Sequence, residues 1–310
     1  MPTTSHLFKR FDLARGWLVA VTLPILVWLA VPSDWPDWAW MWLQAIAIYA
    51  GCKWLTWRRA FNDSAVQTAP VWMHLGYLFA WPGMDPESFF TPPAISRKLS
   101  ASAGEWLFAL GKMSLGIGLL CFVAQYSALT NPWLDGWIAM IGLVLTLHFG
   151  IFHLLSCGWR TIGVNAKPLM NWPILSTSVS EFWGQRWNTA FRDLTYRFLF
   201  RPLTKQCGPK YALLLAFLVS GLLHEAVITV PVASGYGGPT LFFLIQAIAM
   251  LFERSETGKR WLYTGKRDGR SWRGWLFTAA VILLPAGLLF PRSFATEIIL
   301  PFVHSWRAVL

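Results

Sequence analysis

Apolar runs of bilayer-crossing length recur along the whole chain, and they exclude a water-soluble globule. Read generously at their ends, they are 16–32, 38–56, 106–126, 133–157, 210–231, 238–253 and 273–291. A helical span takes about 20 residues, with a range of roughly 17 to 25. Lipid offers the backbone no hydrogen-bond partner, so runs of this kind must satisfy their own amides as helices. Charged residues are 13% of the chain, about half the roughly 25% usual in soluble domains. No Gly/Ser-rich or Pro-rich linker interrupts the pattern. The expectation is an all-α polytopic membrane protein, one membrane-embedded domain over residues 1–310, with about 7–9 transmembrane helices plus re-entrant or interfacial ones.

The charges set an orientation. The formal net charge is +11, but the basic residues lie in the connections between apolar runs, which points to the positive-inside rule and anionic lipid rather than nucleic acid. Lys9, Arg10 and Arg15 precede the first run; Lys53, Arg58 and Arg59 follow the second; Arg97 and Lys98 precede the third. The stretches 160–210 and 254–273 are densely basic, while 127–132 and 232–237 carry no charge. This alternation places the N-terminus and every basic connection in the cytoplasm, provided that 69–81, "APVWMHLGYLFAW", does not cross. That run is short and leads into the turn sequence "WPGMDP", so it reads as a re-entrant or interfacial helix. No A-x-A cleavage site follows the first run, which reads as a retained helix. Integral residence in a bacterial cytoplasmic membrane is the expected localisation. The last residues, "FATEIILPFVHSWRAVL", fit either a further short span or a surface helix.

Cys52, Cys121, Cys157 and Cys207 are scattered, with no CxxC spacing, so neither a disulfide framework nor a zinc site is indicated. His148 and His153 are five residues apart, too far for helical ligation of one metal, and read as packing or pathway residues. No metal and no cofactor is expected.

The connection 158–209 is too long for a turn and too apolar for a solvated loop. Within it, Ser178 with Glu181 three residues on forms a capping-box pattern that predicts a helix start. Trp183, Trp187, Phe191, Leu194 and Phe198 then recur at helical spacing on one face, Arg186, Asp193 and Arg197 on another, and Pro202 is the expected stop. A basic, aromatic helix of this kind lies along the cytoplasmic membrane surface. In the middle of the run 210–231 stands "SGLLHE", with His224 and Glu225 at membrane depth. An ionisable group there is costly and marks function by default, against the plainer reading of a histidine satisfied by a neighbouring helix. Ser220 and Gly221 share the histidine's face and permit close approach of a helix or ligand. Glu225 points about 100° away, which favours a structural role. Spacing alone makes Asn188 a structural amide.

"STSVSEFWGQRWN" followed by "SGLLHE" resembles the wax synthase branch of the membrane-bound O-acyltransferase family, and "WPGMDP" and "FFLIQAIAMLFER" resemble segments of its bacterial members. The resemblance implies transfer of an acyl group from acyl-CoA, as donor substrate, to the hydroxyl of a lipophilic alcohol. It places the catalytic histidine at His224 and a second polar group at Asn188. Trp183, Arg186, Trp187, Arg192, Ser220 and Gly221 become candidate substrate contacts, and Arg186, Arg192, Arg197 and Arg201 candidate partners of the CoA phosphates. Contact with lipid headgroups is the plainer reading of each arginine. Gln185 stands where many relatives carry the first arginine of FWGRRW. Other hydroxyl acceptors (sterol, terpenoid, diacylglycerol, polysaccharide) remain open, as does a transporter in which His224 relays protons, although no internal repeat supports transport. Membrane lipids, acyl-CoA and the alcohol are the expected partners, with no nucleic acid.

Overall fold

The computed structural model describes residues 4–91, 100–126, 131–262 and 271–308, with side chains from Gly16 to Arg307. The basic residues Arg97 and Lys98, and most of the basic stretch beyond Leu262, lie outside the described residues, as does Lys266. Among the described residues all regular structure is helical. Helices Ala103–Tyr126, Pro132–Thr161, Thr189–Ile228 and Trp272–Leu289 are long and apolar enough to cross a bilayer, and Gly16–Ala30 is a shorter apolar helix. These four coincide with the expected runs 106–126, 133–157, 210–231 and 273–291; the runs 16–32, 38–56 and 238–253 are helical but do not reach the length and hydropathy of a span among the described residues. The chain groups into two compact units, 1–118 with 142–168, and 119–141 with 169–310.

In the first unit, helices Thr4–Ala30 and Asp37–Ala60 pair closely. A Cβ on Gly51 would sit 2.7 Å from Ala20 Cα, so only glycine permits the approach. The run 69–81 becomes a helix of nine residues, Val71–Phe79, too short to span. The following "WPGM" is buried throughout. Lys53, 2% exposed, donates to the Gly83 carbonyl and lies 3.4 Å over the Tyr77 ring. The Tyr77 hydroxyl bonds Thr56 Oγ1 at 2.8 Å. A buried lysine nitrogen is stable only with such partners, and here they fasten the short helix and its turn to the long helix beside them.

The second unit holds both motif segments. The surface helix expected to run unbroken from Ser178 is divided. Ser178 does cap it, its hydroxyl accepting from Glu181 N at 2.9 Å. The helix then widens into a π turn at Phe182–Arg186 and stops, with Trp187 extended and Asn188 left-handed at φ 40°. Helix resumes at Thr189–Thr195, passes a second π turn at Tyr196–Phe200, and continues through Pro202 into Arg201–Ile228. Pro202 was the expected stop, and it is not one. The wide π turn just before it leaves room for the ring, where an ordinary helical turn would clash. The real break is Gly208, at φ 79°, ψ 166°, ahead of Pro209. Proline disfavours helix in the residue before it, and glycine alone adopts that conformation freely. The C-terminal segment Phe294–His304 buries Phe294, Ala295, Ile298, Ile299, Leu300 and Val303. Its buried side packs on the protein while Glu297 and Pro301 are exposed, and it is too short to be a span by itself.

Candidate active site

The two motifs meet on one ring. The His224 imidazole lies 4.5 Å, centroid to centroid, from Phe243. Trp183 lies 5.5 Å from the same Phe243 and packs edge-on against Phe217 at 5.9 Å. The histidine and the tryptophan are therefore within about 10 Å of one another. Helix Gly238–Arg254 supplies Phe243 and ties down both motifs along its length. At its N-terminal end Glu225 accepts from Thr240 N at 3.1 Å and Thr240 Oγ1 at 2.9 Å, while Thr229 Oγ1 donates to the other carboxylate oxygen at 2.5 Å. A carboxylate at a helix N-terminus is well placed against the orphan amides and the macrodipole. At the other end Glu253, 4% exposed, accepts from Val179 N and Ser180 N, both at 2.8 Å. The FWG helix is thus capped from outside as well as by Ser178. Between them Gln246 accepts from Trp183 Nε1 at 3.3 Å.

Sequence reasoning missed Gln246 and Glu253. The available signal was a fully polar amide and a carboxylate inside an apolar run, which lipid tolerates only where partners exist. Glu225 was expected to serve structure, and its bonds to Thr229 and Thr240 are structural.

Sorting the motif side chains by whether their hydrogen-bonding capacity is used isolates two of them. Arg186 is largely committed: Nε donates to Glu181 at 2.7 Å, a terminal nitrogen pairs with the same carboxylate at 2.7 Å, and the other donates to the carbonyls of Asn171 and Trp172 at 3.1 and 3.3 Å. Burial pushes the Glu181 carboxyl up, but the bonds from the Thr177 amide, Arg186 and the Thr177 hydroxyl outweigh it and hold the group below the usual glutamate range. Arg192 pairs with its neighbour Asp193 at 2.9 Å and is half exposed. Trp187 stacks on Phe182 at 5.6 Å. Ser220 Oγ bonds back to the Ala216 carbonyl at 3.0 Å. Gly221 is buried, and a Cβ there would meet Thr240 Cα at 2.6 Å, so its open face is filled by helix Gly238–Arg254.

His224 and Asn188 differ. His224 Nδ1 lies 2.7 Å from the Ser220 carbonyl. A carbonyl can only accept, so Nδ1 carries the proton, and the neutral ring presents Nε2 as a bare lone pair. Asn188 is held left-handed by its surroundings: its amide N–H donates to Met170 Sδ at 3.2 Å, and Thr189 N donates to the Leu169 carbonyl at 3.0 Å. Its side-chain amide makes no hydrogen bond among the described residues, and the residue is only partly buried. Nor does any hydrogen bond or ring contact join Asn188 to His224 among them. A structural amide would bond a neighbouring carbonyl, and the Asn188 side chain bonds none among the described residues.

In the first unit, Glu105, His153 and Cys157 present ligand atoms within 4.8 Å of one another, a spacing that could hold a metal ion. Those atoms are already engaged. Arg160 donates to both Glu105 oxygens, at 2.5 and 3.3 Å, His153 Nε2 lies 2.9 Å from Glu105, and Lys112 Nζ lies 2.9 Å from His153 Nδ1. Two cations inside the cluster oppose a third, so the arrangement reads as an ion network fastening helix Ala103–Tyr126 to Phe152–Thr161.

Comparison with known proteins locates the same segment. Residues 166–245 match the Membrane bound O-acyl transferase family. A probable long-chain-alcohol O-fatty-acyltransferase 7 of Arabidopsis thaliana is 30% identical over 138 residues, 42% of this chain and 40% of that protein. The long-chain-alcohol O-fatty-acyltransferase of Simmondsia chinensis is 40% identical over 73 residues, 21% of each chain. An acyl-CoA–sterol O-acyltransferase 1 of Arabidopsis thaliana is 37% identical over 68 residues, 20% of each. These matches span less than half the length of those relatives.

Proposed function

We propose that this chain is an integral-membrane O-acyltransferase that moves a fatty acyl group from acyl-CoA to the hydroxyl of a long-chain alcohol, with His224 as general base. The observation that carries the reading is the 2.7 Å approach of His224 Nδ1 to the Ser220 carbonyl: with Nδ1–H committed there, the neutral ring can only accept at Nε2. Nε2 takes the alcohol proton as the oxygen attacks the thioester carbonyl. The carbonyl π electrons move to its oxygen, which the unspent Asn188 amide is suited to receive as a donor. Collapse re-forms the carbonyl and breaks the C–S bond, and the departing CoA thiolate recovers the proton from the imidazolium. Proton and electron pair balance without a metal or a further reactant. The relatives named for long-chain-alcohol transfer favour the alcohol as acceptor; the sterol-acylating relative, over a shorter match, favours a sterol as the second reading. The basic connections favour a cytoplasmic N-terminus and delivery of CoA from the cytoplasmic side.

The test is to incubate the detergent-purified protein with palmitoyl-CoA and hexadecanol, cholesterol, a terpenoid alcohol and diacylglycerol, and to analyse products by mass spectrometry. Hexadecyl palmitate is the expected product. Sterol ester alone would move the assignment to the second reading, and no ester from any acceptor would reject acyl transfer. A cysteine introduced at exposed Lys205 should label from the cytoplasmic side; labelling only from outside would reverse the topology.

A further inference from the structure

Gln246 lies inside the apolar helix Gly238–Arg254, one residue beyond the segment that matches the family, and is 0% exposed. A neutral amide at that depth costs free energy unless both of its ends are paired. Both are. Oε1 accepts from Trp183 Nε1 at 3.3 Å, and Nε2 donates to the Val281 carbonyl at 2.9 Å. The orientation of the amide is fixed by chemistry, since an indole N–H only donates and a carbonyl only accepts. Gln246 therefore bridges helix Trp272–Leu283 to the FWG motif, and the bridge ends on the indole that shares Phe243 with His224. Trp183 also closes on Phe217, so Trp183, Phe217 and Phe243 form one aromatic wall beside the imidazole. Hydrophobic packing restricts the indole but does not by itself select the direction of its N–H. The hydrogen bond to Gln246 selects it.

We propose that Gln246 is a positioning residue for acyl transfer: it locks Trp183, and through Trp183 the Phe243 wall, so that His224 presents Nε2 in a single direction. This rests on the reading of His224 as the base. Gln246 itself touches neither the histidine nor any reacting atom. The requirement is geometric, because general-base transfer depends on placement to within a fraction of an ångström and a 1 Å misplacement can cost on the order of 100-fold.

The test combines a double-mutant cycle with a chemical probe, in the full-length purified protein. Gln246→Met and Trp183→Phe each cut the same bond while keeping bulk, and each should lower kcat about tenfold with KM for palmitoyl-CoA and hexadecanol within about twofold. The double variant should be no worse than Gln246→Met alone, because that change already removes the partner of the bond. Additive losses, or a single variant retaining more than half of kcat, overturn the proposal. In parallel, the rate at which diethyl pyrocarbonate modifies His224, read by peptide mass spectrometry, should rise about threefold or more in each variant as the wall loosens. An unchanged rate overturns the proposal even if the wild type transfers no acyl group, whereas an inactive wild type with faster labelling in the variants refutes only the acyltransferase reading. Should Gln246→Met fail to survive extraction, Trp183→Phe carries the same expectations alone.

Discussion

Glu225 stands beside the proposed base, and its substitution separates a structural carboxylate from a catalytic one. Its oxygens receive Thr240 N at 3.1 Å, Thr240 Oγ1 at 2.9 Å and Thr229 Oγ1 at 2.5 Å. In Glu225→Gln the amide oxygen can keep both Thr240 bonds. The new NH₂ can donate to Thr229 Oγ1, whose own proton has the Glu225 carbonyl at 3.1 Å as an alternative acceptor. Only the negative charge at the N-terminus of Gly238–Arg254 is lost, worth about 1 kcal/mol. Glu225→Ala removes these bonds and strands the Thr240 amide, for a cost of about 3 kcal/mol. Thermal unfolding of the purified protein should therefore rank wild type, Gln and Ala in that order, with the larger step to Ala. Turnover per folded molecule, from hexadecyl palmitate formed by the monodisperse fraction, should stay within about threefold of wild type for Gln, because no transition-state interaction is removed. A Gln variant of wild-type stability that loses 100-fold or more in kcat would refute the structural assignment and put Glu225 in the chemistry.

Three further outcomes follow from the site. His224→Ala should fold and extract like wild type yet lose about 10²–10⁴-fold in rate; retention of more than a tenth of the activity would remove it as the base. Asn188→Gly relieves the left-handed backbone while deleting the amide, and Asn188→Ala deletes the amide and keeps the strain at φ 40°. If the amide receives the oxyanion, both lose about 10²–10³-fold in kcat, whereas a purely conformational role predicts an active Gly variant and an impaired Ala variant. Glu181 has a folded-state pKa below its unfolded value, so its stabilising contribution is present above about pH 4.3 and is lost as pH falls through the folded value. Glu181→Gln should lower the melting temperature at pH 7 and flatten its acid-side decline, and an unchanged acid limb would exclude Glu181 as a contributor.

The lipid-crossing helices were legible because bilayer length and low charge are coarse, additive properties of a sequence. The Ser178 cap and the non-spanning run 69–81 were legible for equally local reasons: a hydroxyl three residues ahead of an acid, and an apolar stretch too short to cross. What the sequence did not disclose was anything decided by a distant partner. Asn188 suits a capping role by residue type, yet it occupies a left-handed turn fixed by Leu169 and Met170, some 18 residues away. Arg186 has the composition of a phosphate contact and spends its guanidinium on Glu181 and two carbonyls. Pro202 looks like a stop because its effect depends on the turn before it, and π turns carry no reliable sequence mark. Hydropathy registers Glu253 and Gln246 only as blemishes in an apolar run; their meaning lies in Val179, Ser180 and Trp183.

The same dependence on long-range geometry makes Gly208 the decisive residue between the motifs. Thr189 and His224 are separated by 35 residues that are almost all helical. Straight, they would span about 53 Å at 1.5 Å per residue. Yet Trp183, just before that stretch, and His224, near its end, share Phe243 and lie within about 10 Å. The chain must double back, and within Arg201–Ile228 Gly208 is where the helix leaves helical torsions, at φ 79°, ψ 166°. That region is essentially closed to residues with a Cβ, at a cost of about 1–3 kcal/mol. A Cβ at Gly208 would meet nothing within 4 Å, so the cost of Gly208→Ala is backbone strain rather than a clash. The variant should lose melting temperature, and its folded fraction should lose turnover as the two motifs part. Gly111→Ala, on an exposed helical face with equally open space, is the control and should be neutral or slightly stabilising. A Gly208→Ala enzyme with wild-type stability and turnover would show that the reversal is made elsewhere, and the convergence of the two motifs on Phe243 would then need a different origin.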